Sequence, residues 1–207
     1  MMKKNLFIVF EGIDGTGKST QIKLLEERMK LVGRSVYSTF EPTNNLFGKI
    51  IRDIFSHKID ADQRTIASLF VTDRLHHLLN NEDGILLKLS EGFDVISDRY
   101  YFSSFAYHSV HTDMNWVVQS NAQSIDLLKA DITFFIDIAP IESMKRINAT
   151  RANIEMYENL ENLELVRSKY LTAFELYNQQ ENIVFIDGNR SIEEVSAQIW
   201  QRVLNHL

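Results

Sequence analysis

The sequence feature that most constrains this chain is the segment at residues 12–19, which follows a short apolar run. It reads Gly-Ile-Asp-Gly-Thr-Gly-Lys-Ser and matches the pattern G-x-x-x-x-G-K-[ST] in full. Glycines allow backbone N–H groups to converge on phosphate oxygens, and the N-terminus of a following helix adds its dipole. The segment therefore predicts a phosphate-binding loop between a β-strand and an α-helix.

The motif assigns roles within this loop. Lys18 is expected to bind the β- and γ-phosphates of a nucleoside triphosphate, and the hydroxyl of Ser19 to bind Mg²⁺. A glycine-rich turn without a ligand is the alternative, but only roughly one random chain in a hundred of this length would contain the pattern. ATP or GTP binding is therefore predicted. The residues expected to contact the ATP phosphates are Gly12, Asp14, Gly15, Thr16, Gly17, Lys18, Ser19 and Thr20.

The rest of the chain alternates strand-like apolar runs with helical stretches. Such alternation requires a parallel sheet covered by helices on both faces, so the predicted fold class is α/β, a three-layer, doubly wound, five-stranded parallel sheet. The predicted strands are 6–10, 35–40, 93–97, 132–138 and 183–186. The predicted helices are 18–31, 46–55, 63–79, 84–90, 116–128, 141–147, 160–177 and 192–204.

Length and composition narrow the classes of protein further. A chain of 207 residues fits one domain, predicted here over residues 1–207. The net charge of −6 argues against binding to nucleic acid, which requires a basic surface. The absence of cysteine excludes disulfides and thiolate metal sites. Because no apolar run approaches the roughly 18 residues of a membrane-spanning helix, a cytoplasmic protein without a membrane partner is expected.

A switch GTPase is the main alternative among proteins with this loop. Such a protein reads guanine with the tetrapeptide Asn-Lys-x-Asp, which does not occur in this sequence. Its third strand would also end in Asp-x-x-Gly, whereas this strand is followed by Asp98 and Arg99. These differences favour a kinase over a switch.

Four segments, ordered along the chain, resemble those of one kinase family. They are FEGIDG at 10–15, EPT at 41–43, LFVTDR at 69–74 and DRYYFSSFAY at 98–107. In order and spacing they resemble the thymidylate kinase family, and the resemblance covers nearly the whole chain. It implies a fold of the P-loop kinase type with a small mobile lid, for which the polar segment at 148–159 is the candidate.

The resemblance also implies an activity and its partners. The expected reaction is phosphorylation of dTMP to dTDP with ATP and Mg²⁺, as a step toward dTTP, in a cytoplasmic homodimer. Two alternatives stay open. One is a kinase for another pyrimidine acceptor, such as dUMP or a deoxynucleoside, and the other is a nucleotide-binding switch without catalysis.

The first candidates for acceptor binding are Phe70 and Arg74, which lie four residues apart on a predicted helix and so share one face. The resemblance assigns Phe70 to stacking on thymine and Arg74 to hydrogen bonding of an exocyclic oxygen of the base. From the helix alone, a core phenylalanine beside a surface arginine is the alternative.

The second pair of candidates, Asp98 and Arg99, follows a central strand at its carboxyl end, where ligands bind in open parallel sheets. An aspartate there can hold the magnesium shell together with Ser19, and the arginine can bind the acceptor phosphate with two N–H groups. A structural ion pair is the alternative.

Further acceptor-binding roles come from the resemblance. Asp14 corresponds to a carboxylate that accepts from the sugar 3′-hydroxyl, or else it only forms a turn. Tyr107 corresponds to a tyrosine that packs against the 2′ carbon and selects deoxyribose. Ser104 corresponds to a polar side chain that faces the base edge, or else it is a serine without a ligand. Glu41 belongs to the acceptor-binding set.

Phosphoryl transfer needs cations that close over the donor. Arg146, near the end of a predicted helix, and Arg151, in the polar segment, are the candidate catalytic cations of the lid. Some relatives carry an arginine inside the phosphate-binding loop, whose middle is here occupied by Thr16. For Arg151, a solvated surface charge is the alternative.

Two positions depart from the family pattern. Phe40 stands where many relatives have an arginine that helps to bind the acceptor phosphate, which leaves more of that role to Arg74 and Arg99. His108 stands where bacterial relatives often have glutamine, so an imidazole is expected near the base edge.

Overall fold

The computed structural model describes residues 5–150, 156–157 and 159–207. Within them, five strands form one parallel sheet in the order β2-β3-β1-β4-β5. The strands are β1 (Phe7–Glu11), β2 (Val36–Phe40), β3 (Asp94–Asp98), β4 (Ile132–Asp137) and β5 (Ile183–Asp187). The helices are α1 (Lys18–Leu31), α2 (Leu46–Phe55), α3 (Gln63–Leu79), α4 (Ile85–Ser90), α5 (Tyr101–Tyr107), α6 (Met114–Ser120), α7 (Ala122–Leu127), α8 (Pro140–Thr150), α9 (Leu160–Tyr177) and α10 (Ile192–Leu204), with a 3₁₀ turn at His108–Val110.

The burial of strand β1 shows why helices cover both faces of the sheet. Its five residues are all buried. Phe7 and Val9 belong to the apolar core on one face of the sheet, while Ile8 and Phe10 belong to the core on the other. Because successive side chains of a strand point to opposite faces, only helices on both sides can cover such a strand. The predicted three-layer α/β fold is confirmed.

The helix predicted at 116–128 is broken in the structure. It consists of α6 and α7, separated at Asn121, whose side chain accepts a hydrogen bond from Arg74 and donates one to the Val117 carbonyl. Asn121 is 1% exposed, so these bonds draw it into the interior and interrupt the helix.

Helix α5 was not predicted from the sequence. All seven of its residues are buried. A helix that is covered on every side has no polar face, so it lacks the 3.6-residue periodicity by which helices are recognised.

The carboxyl ends of three strands meet at one edge of the sheet. Asp98 lies opposite Phe10 of β1 and opposite Phe40 of β2. The phosphate-binding loop and the pair Asp98 and Arg99 therefore leave the sheet side by side. Within the described parts of the chain, no helix has both the length and the apolar character needed to cross a lipid bilayer.

Candidate functional site

The phosphate-binding loop connects β1 to α1 and turns into the helix at Gly17. This residue has a φ of 92°, a left-handed angle that glycine adopts without strain. Lys18 folds back over the loop, and its Nζ lies 3.1 Å from the carbonyl oxygens of both Gly12 and Ile13. Burial lowers the pKa of Lys18. The loop thus holds the lysine at the place where the motif requires a cation for phosphate.

Helix α8 rests directly on this loop at Gly15. A Cβ at Gly15 would lie 2.9 Å from the Ser143 carbonyl oxygen, and φ at this position is 75°. The Ser143 hydroxyl also donates to the Asp14 carbonyl. There is consequently no room for a side chain at Gly15.

Ser19 and Asp98 lie together at the end of the loop. The Ser19 hydroxyl donates to Asp98 Oδ2 at 3.1 Å. Asp98 Oδ1 is buried and has no hydrogen-bond partner among the described residues. An unpaired carboxylate oxygen beside a hydroxyl fits Mg²⁺, which prefers oxygen ligands and keeps several of its waters. The two predicted metal-binding residues are therefore brought together by the fold.

Arg99 has an uncommon backbone conformation for a residue with a side chain. Its φ is 74°, and its N–H donates to the Phe10 carbonyl at 2.8 Å. Residues other than glycine with such an angle are rare and cluster at functional sites, where surrounding contacts hold them. The strained turn directs the guanidinium toward the phosphate-binding loop, and Nη1 donates to the Gly12 carbonyl at 3.2 Å.

Asp14, Arg99 and Tyr107 form a closed triangle of hydrogen bonds. Arg99 Nη2 donates to Asp14 Oδ1 at 2.7 Å and to the Tyr107 hydroxyl oxygen at 3.2 Å. The Tyr107 hydroxyl donates to Asp14 Oδ2 at 2.8 Å. Three residues that the resemblance assigns to the acceptor nucleotide are thus in mutual contact, although they come from three different segments.

Two cavities open on this triangle. The larger cleft, about 1100 Å³, is bordered by residues 14–20 of the loop, including Thr16 and Thr20, and by Asp98 and Arg146. The smaller pocket, about 220 Å³, lies between α2, α3 and α5. Both cavities are lined by Asp14, Phe40 and Arg99. The phosphate-binding loop and the pair Asp98 and Arg99 thus line the same cleft.

The smaller pocket is mostly aromatic at the end away from the loop. Phe70 lines it together with Ser104 and His108, and the Phe70 and His108 rings lie 4.8 Å apart. Burial lowers the pKa of His108 to about 3, with further repulsion from Arg74 and His111. His108 is therefore a neutral ring, and it offers hydrogen bonds to a ligand without a charge.

Arg74 occupies a different place from the one predicted. Its side chain is completely buried, and Nε and Nη2 both reach Glu41 Oε2, at 2.9 and 2.7 Å. Nη1 donates to Ser104 Oγ and to Asn121, and Nη2 also donates to the Tyr100 carbonyl. These bonds engage all five N–H donors of the guanidinium. Arg74 thus reaches the pocket through Ser104 and does not border it directly.

Glu41 is held in the same buried network. Its Oε2 pairs with Arg74 and its Oε1 lies 3.1 Å from Nδ1 of His77. Glu41 is 4% exposed and borders the larger cleft, not the smaller pocket. Its carboxylate therefore supports Arg74 and does not face the predicted acceptor.

The two lid arginines differ in what the structure describes. Arg146 lies on α8, borders the larger cleft and donates from Nη2 to the Gly188 carbonyl at 3.0 Å. It lies between the loop and the segment after β5. Arg151 and most of the predicted lid at 148–159 lie outside the described residues.

Two residues of the smaller pocket were not assigned roles from the sequence. Arg52 of α2 lines it and donates to the Pro42 carbonyl at 2.9 Å. Tyr157 covers it, with its hydroxyl bonded to Gln63 at 2.7 Å and its ring edge-on to Phe55 at 5.3 Å. Arg52 carries no local motif. Tyr157 lies in the segment predicted as the lid, but no pattern in the sequence indicates that its ring lines the acceptor pocket.

Comparison with known proteins gives consistent matches over the whole chain. The family model described as thymidylate kinase matches residues 10–199. A probable thymidylate kinase of Methanocaldococcus jannaschii is 39% identical over 96% of this chain and 95% of its own length. The thymidylate kinase of Ureaplasma parvum serovar 3 is 32% identical over 98% and 91%, and that of Thermosipho africanus is 35% identical over 98% and 99%, respectively.

Proposed function

The chain belongs to the thymidylate kinase family and phosphorylates dTMP with ATP as the donor, and we propose that the larger cleft binds ATP while the smaller pocket binds dTMP. The observation that carries this assignment is that both cavities share Asp14, Phe40 and Arg99. Two nucleotides bound in this way would bring their phosphates together beside the phosphate-binding loop. An in-line transfer needs that arrangement.

On the donor side, the loop N–H groups and Lys18 hold the ATP phosphates. The buried, unpaired Oδ1 of Asp98 and the Ser19 hydroxyl would hold Mg²⁺. A Mg²⁺ ion held by these two residues would neutralise charge on the phosphate oxygens. Lys18 is then released from the loop carbonyls that it contacts here, because the phosphates offer it stronger, charged acceptors.

On the acceptor side, Arg99 exchanges partners when dTMP enters. In the structure, Asp14 accepts from both Arg99 and Tyr107. The dTMP phosphate replaces Asp14 as the partner of Arg99, and the released carboxylate accepts from the sugar 3′-hydroxyl. Arg52 is a second cation on the pocket wall and compensates for Phe40, which stands where relatives have an arginine.

The thymine ring stacks on Phe70 at the aromatic end of the pocket. Ser104 and the neutral His108 face its polar edge. The hydrogen bond that buried Arg74 donates to Ser104 Oγ orients this hydroxyl. Tyr157 closes the pocket over the bound base. Tyr107 packs against the 2′ carbon, where a ribose hydroxyl would clash.

In the transfer step, an oxygen of the dTMP phosphate forms a bond to the γ-phosphorus as the bond to the β-phosphate oxygen breaks, giving dTDP and ADP. The charge on the γ-oxygens is stabilised by Lys18 and by cations that close over the donor. Arg146 of α8 and Arg151 of the segment 148–159 are the candidates for these cations, and this segment is the candidate lid.

A panel of acceptors tests this function. ADP release is measured with ATP, Mg²⁺ and, in separate reactions, dTMP, dUMP and thymidine. We expect the highest kcat/KM with dTMP and little turnover with thymidine, which has no phosphate for Arg99 to bind. A preference for thymidine would contradict the proposal, and negligible turnover with every acceptor would favour a nucleotide-binding switch.

The family resemblance alone supports two further proposals, a homodimeric state and a cytoplasmic location for this step toward dTTP. Sedimentation velocity tests the first. A sedimentation coefficient that fits a mass of about 24.1 kDa at micromolar concentration would contradict a dimer. Cell fractionation tests the second.

A further inference from the structure

Tyr170 of α9 is a buried tyrosine whose hydroxyl reaches the guanidinium of Arg99. Its side chain is 0% exposed. Its hydroxyl oxygen lies 3.3 Å from Arg99 Nη1, 2.8 Å from Ser103 Oγ and 2.9 Å from Glu11 Oε2. The helix that carries it begins immediately after the predicted lid. The contacts therefore connect a distant helix with the arginine that faces both cavities.

Glu11 determines how the two hydroxyl groups are oriented. Its carboxylate is completely buried and accepts from the backbone N–H groups of Tyr100 and Ser103. It also accepts from the hydroxyls of Ser103, at 2.6 Å, and Tyr170. A hydroxyl has one hydrogen, so each hydroxyl that donates to Glu11 turns its lone pairs toward another donor. That donor is Nη1 of Arg99, which bonds Ser103 Oγ at 3.0 Å.

The two ends of the Arg99 guanidinium therefore have different surroundings. The two N–H groups of Nη1 are shared among three neutral acceptors, the Gly12 carbonyl, Ser103 Oγ and the Tyr170 hydroxyl. Nη2 faces Asp14 and Tyr107, which line the smaller pocket. Because the guanidinium is planar and rigid, fixing Nη1 also fixes the direction in which Nη2 points.

We propose that Tyr170 is a positioning residue for acceptor binding, which acts with Ser103 and Glu11 to hold Nη1 of Arg99 so that Nη2 faces the acceptor phosphate. This inference rests on the proposed role of Arg99 as a ligand of that phosphate. It predicts that loss of the Tyr170 hydroxyl weakens only ligands that carry the phosphate.

The test is the variant Tyr170→Phe, which keeps the ring and its packing against Phe135 and Phe174, at 5.2 and 5.7 Å. Dissociation constants for dTMP and for thymidine are measured by isothermal titration calorimetry. We expect the affinity for dTMP to fall about tenfold, the effect of losing one hydrogen bond to a charged group. The affinity for thymidine stays unchanged because it has no phosphate. The KM for ATP also stays unchanged.

Tyr101→Phe is the matched control. Tyr101 is also a buried tyrosine, 1% exposed, and its hydroxyl also donates to a glutamate, Glu181. Its hydroxyl bonds Glu181 and not Arg99. This variant should leave the ratio of dTMP affinity to thymidine affinity at the wild-type value. Ser103→Ala removes the other hydroxyl on Nη1 and should lower the same ratio, which provides a second test if Tyr170→Phe is poorly folded.

The outcomes distinguish this inference from the function on which it rests. If the wild type binds dTMP no more tightly than thymidine, the phosphate role of Arg99 is rejected, and the inference with it. If the wild type prefers dTMP and Tyr170→Phe keeps that preference, the role of Tyr170 alone is rejected. An equal loss of affinity for dTMP and thymidine would show a general disturbance of the pocket and would also overturn the inference.

Discussion

At the scale of single residues, Asp14 connects the two halves of the site. Its backbone belongs to the phosphate-binding loop, whereas its carboxylate binds Arg99 and Tyr107 in the acceptor pocket. Its carbonyl oxygen accepts from Ser143 of α8. One residue thus connects the phosphate-binding loop, the smaller pocket and α8.

Tyr107 provides a test of sugar selection at this scale. We expect Tyr107→Ala to lower, by about tenfold, the ratio of kcat/KM for dTMP to kcat/KM for the corresponding ribose nucleotide. The reason is that the side chain that excludes a 2′-hydroxyl is removed. Tyr107→Phe keeps the ring and should keep the ratio, although it loses the bonds to Asp14 and Arg99. Steady-state kinetics with both nucleotides measure the effect. The same ratio in Tyr107→Ala as in the wild type would remove the tyrosine from sugar selection.

Lys18 provides a test of the donor site. Lys18→Ala should lower kcat about 100- to 1000-fold, because a buried cation that stabilises the transferred phosphoryl group is lost. The control is Lys30→Ala, which changes an exposed lysine near the other end of the same helix, away from the lining of the larger cleft, and should leave kcat unchanged. Circular dichroism verifies that both variants are folded. Near-normal turnover by Lys18→Ala would contradict the assignment of the loop.

At the scale of the elements, α9 connects two strands of the sheet with Arg99, and it begins directly after the segment 148–159 that is predicted to be the lid. Arg167 of this helix donates two hydrogen bonds of 2.7 Å to Asp137 at the carboxyl end of β4. One turn further along, Tyr170 reaches Glu11 of β1 and Arg99. The helix is therefore attached to two strands at the edge of the sheet where the ligands bind.

The contact between α8 and the phosphate-binding loop is also testable. Gly15→Ala should both destabilise the protein and impair ATP use, since its Cβ would lie 2.9 Å from the Ser143 carbonyl oxygen. Gly92→Ala is the control, because Gly92 also has a left-handed φ, 94°, but a Cβ there has no neighbour within 4 Å among the described residues. Each variant should lose about 1–2 kcal/mol of unfolding free energy through backbone strain.

Urea unfolding measures the loss of stability, and steady-state kinetics measure the KM for ATP and kcat. Only Gly15→Ala should show a higher KM for ATP and a lower kcat. Wild-type kinetics in Gly15→Ala would mean that the position of α8 does not affect the donor site.

At the scale of the whole molecule, His108 lines the smaller pocket and also makes the unfolding free energy depend on pH. Its folded pKa of about 3 lies below the ordinary value of 6.5. Between these values the unfolded chain binds the proton and the folded chain does not. The unfolding free energy is therefore undiminished above pH 6.5 and falls as the pH drops toward 3. One such group lowers it by about 2–3 kcal/mol between pH 6.5 and 4.5.

Urea unfolding at these two pH values measures this contribution. His108→Gln should lose less stability between pH 6.5 and 4.5 than the wild type, by about 2–3 kcal/mol. His206→Gln, which changes an exposed histidine, should follow the wild type. Parallel losses in all three proteins would show that His108 does not carry the acid sensitivity.

The sequence by itself determined the elements whose pattern is local. Five helices were predicted to the residue, because each has a distinct polar face or a clear start and end; they are α1, α2, α3, α9 and α10. The phosphate-binding loop was equally clear, since its chemistry needs glycines and a lysine at set spacing. The place of Asp98 and Arg99 at the carboxyl end of a strand was also clear from the sequence, whereas the register of Asp98 opposite Phe10 of β1 came from the structure.

Only the tertiary structure decided which side chains meet. Arg74 and Phe70 share a helix, yet one is locked in a buried network and the other lines the pocket, because Glu41 and Asn121 approach from distant segments. Arg52, Tyr157 and Tyr170 joined the site for the same reason. Burial and hydrogen bonding depend on partners far away in the chain, and a linear pattern carries no information about those distances.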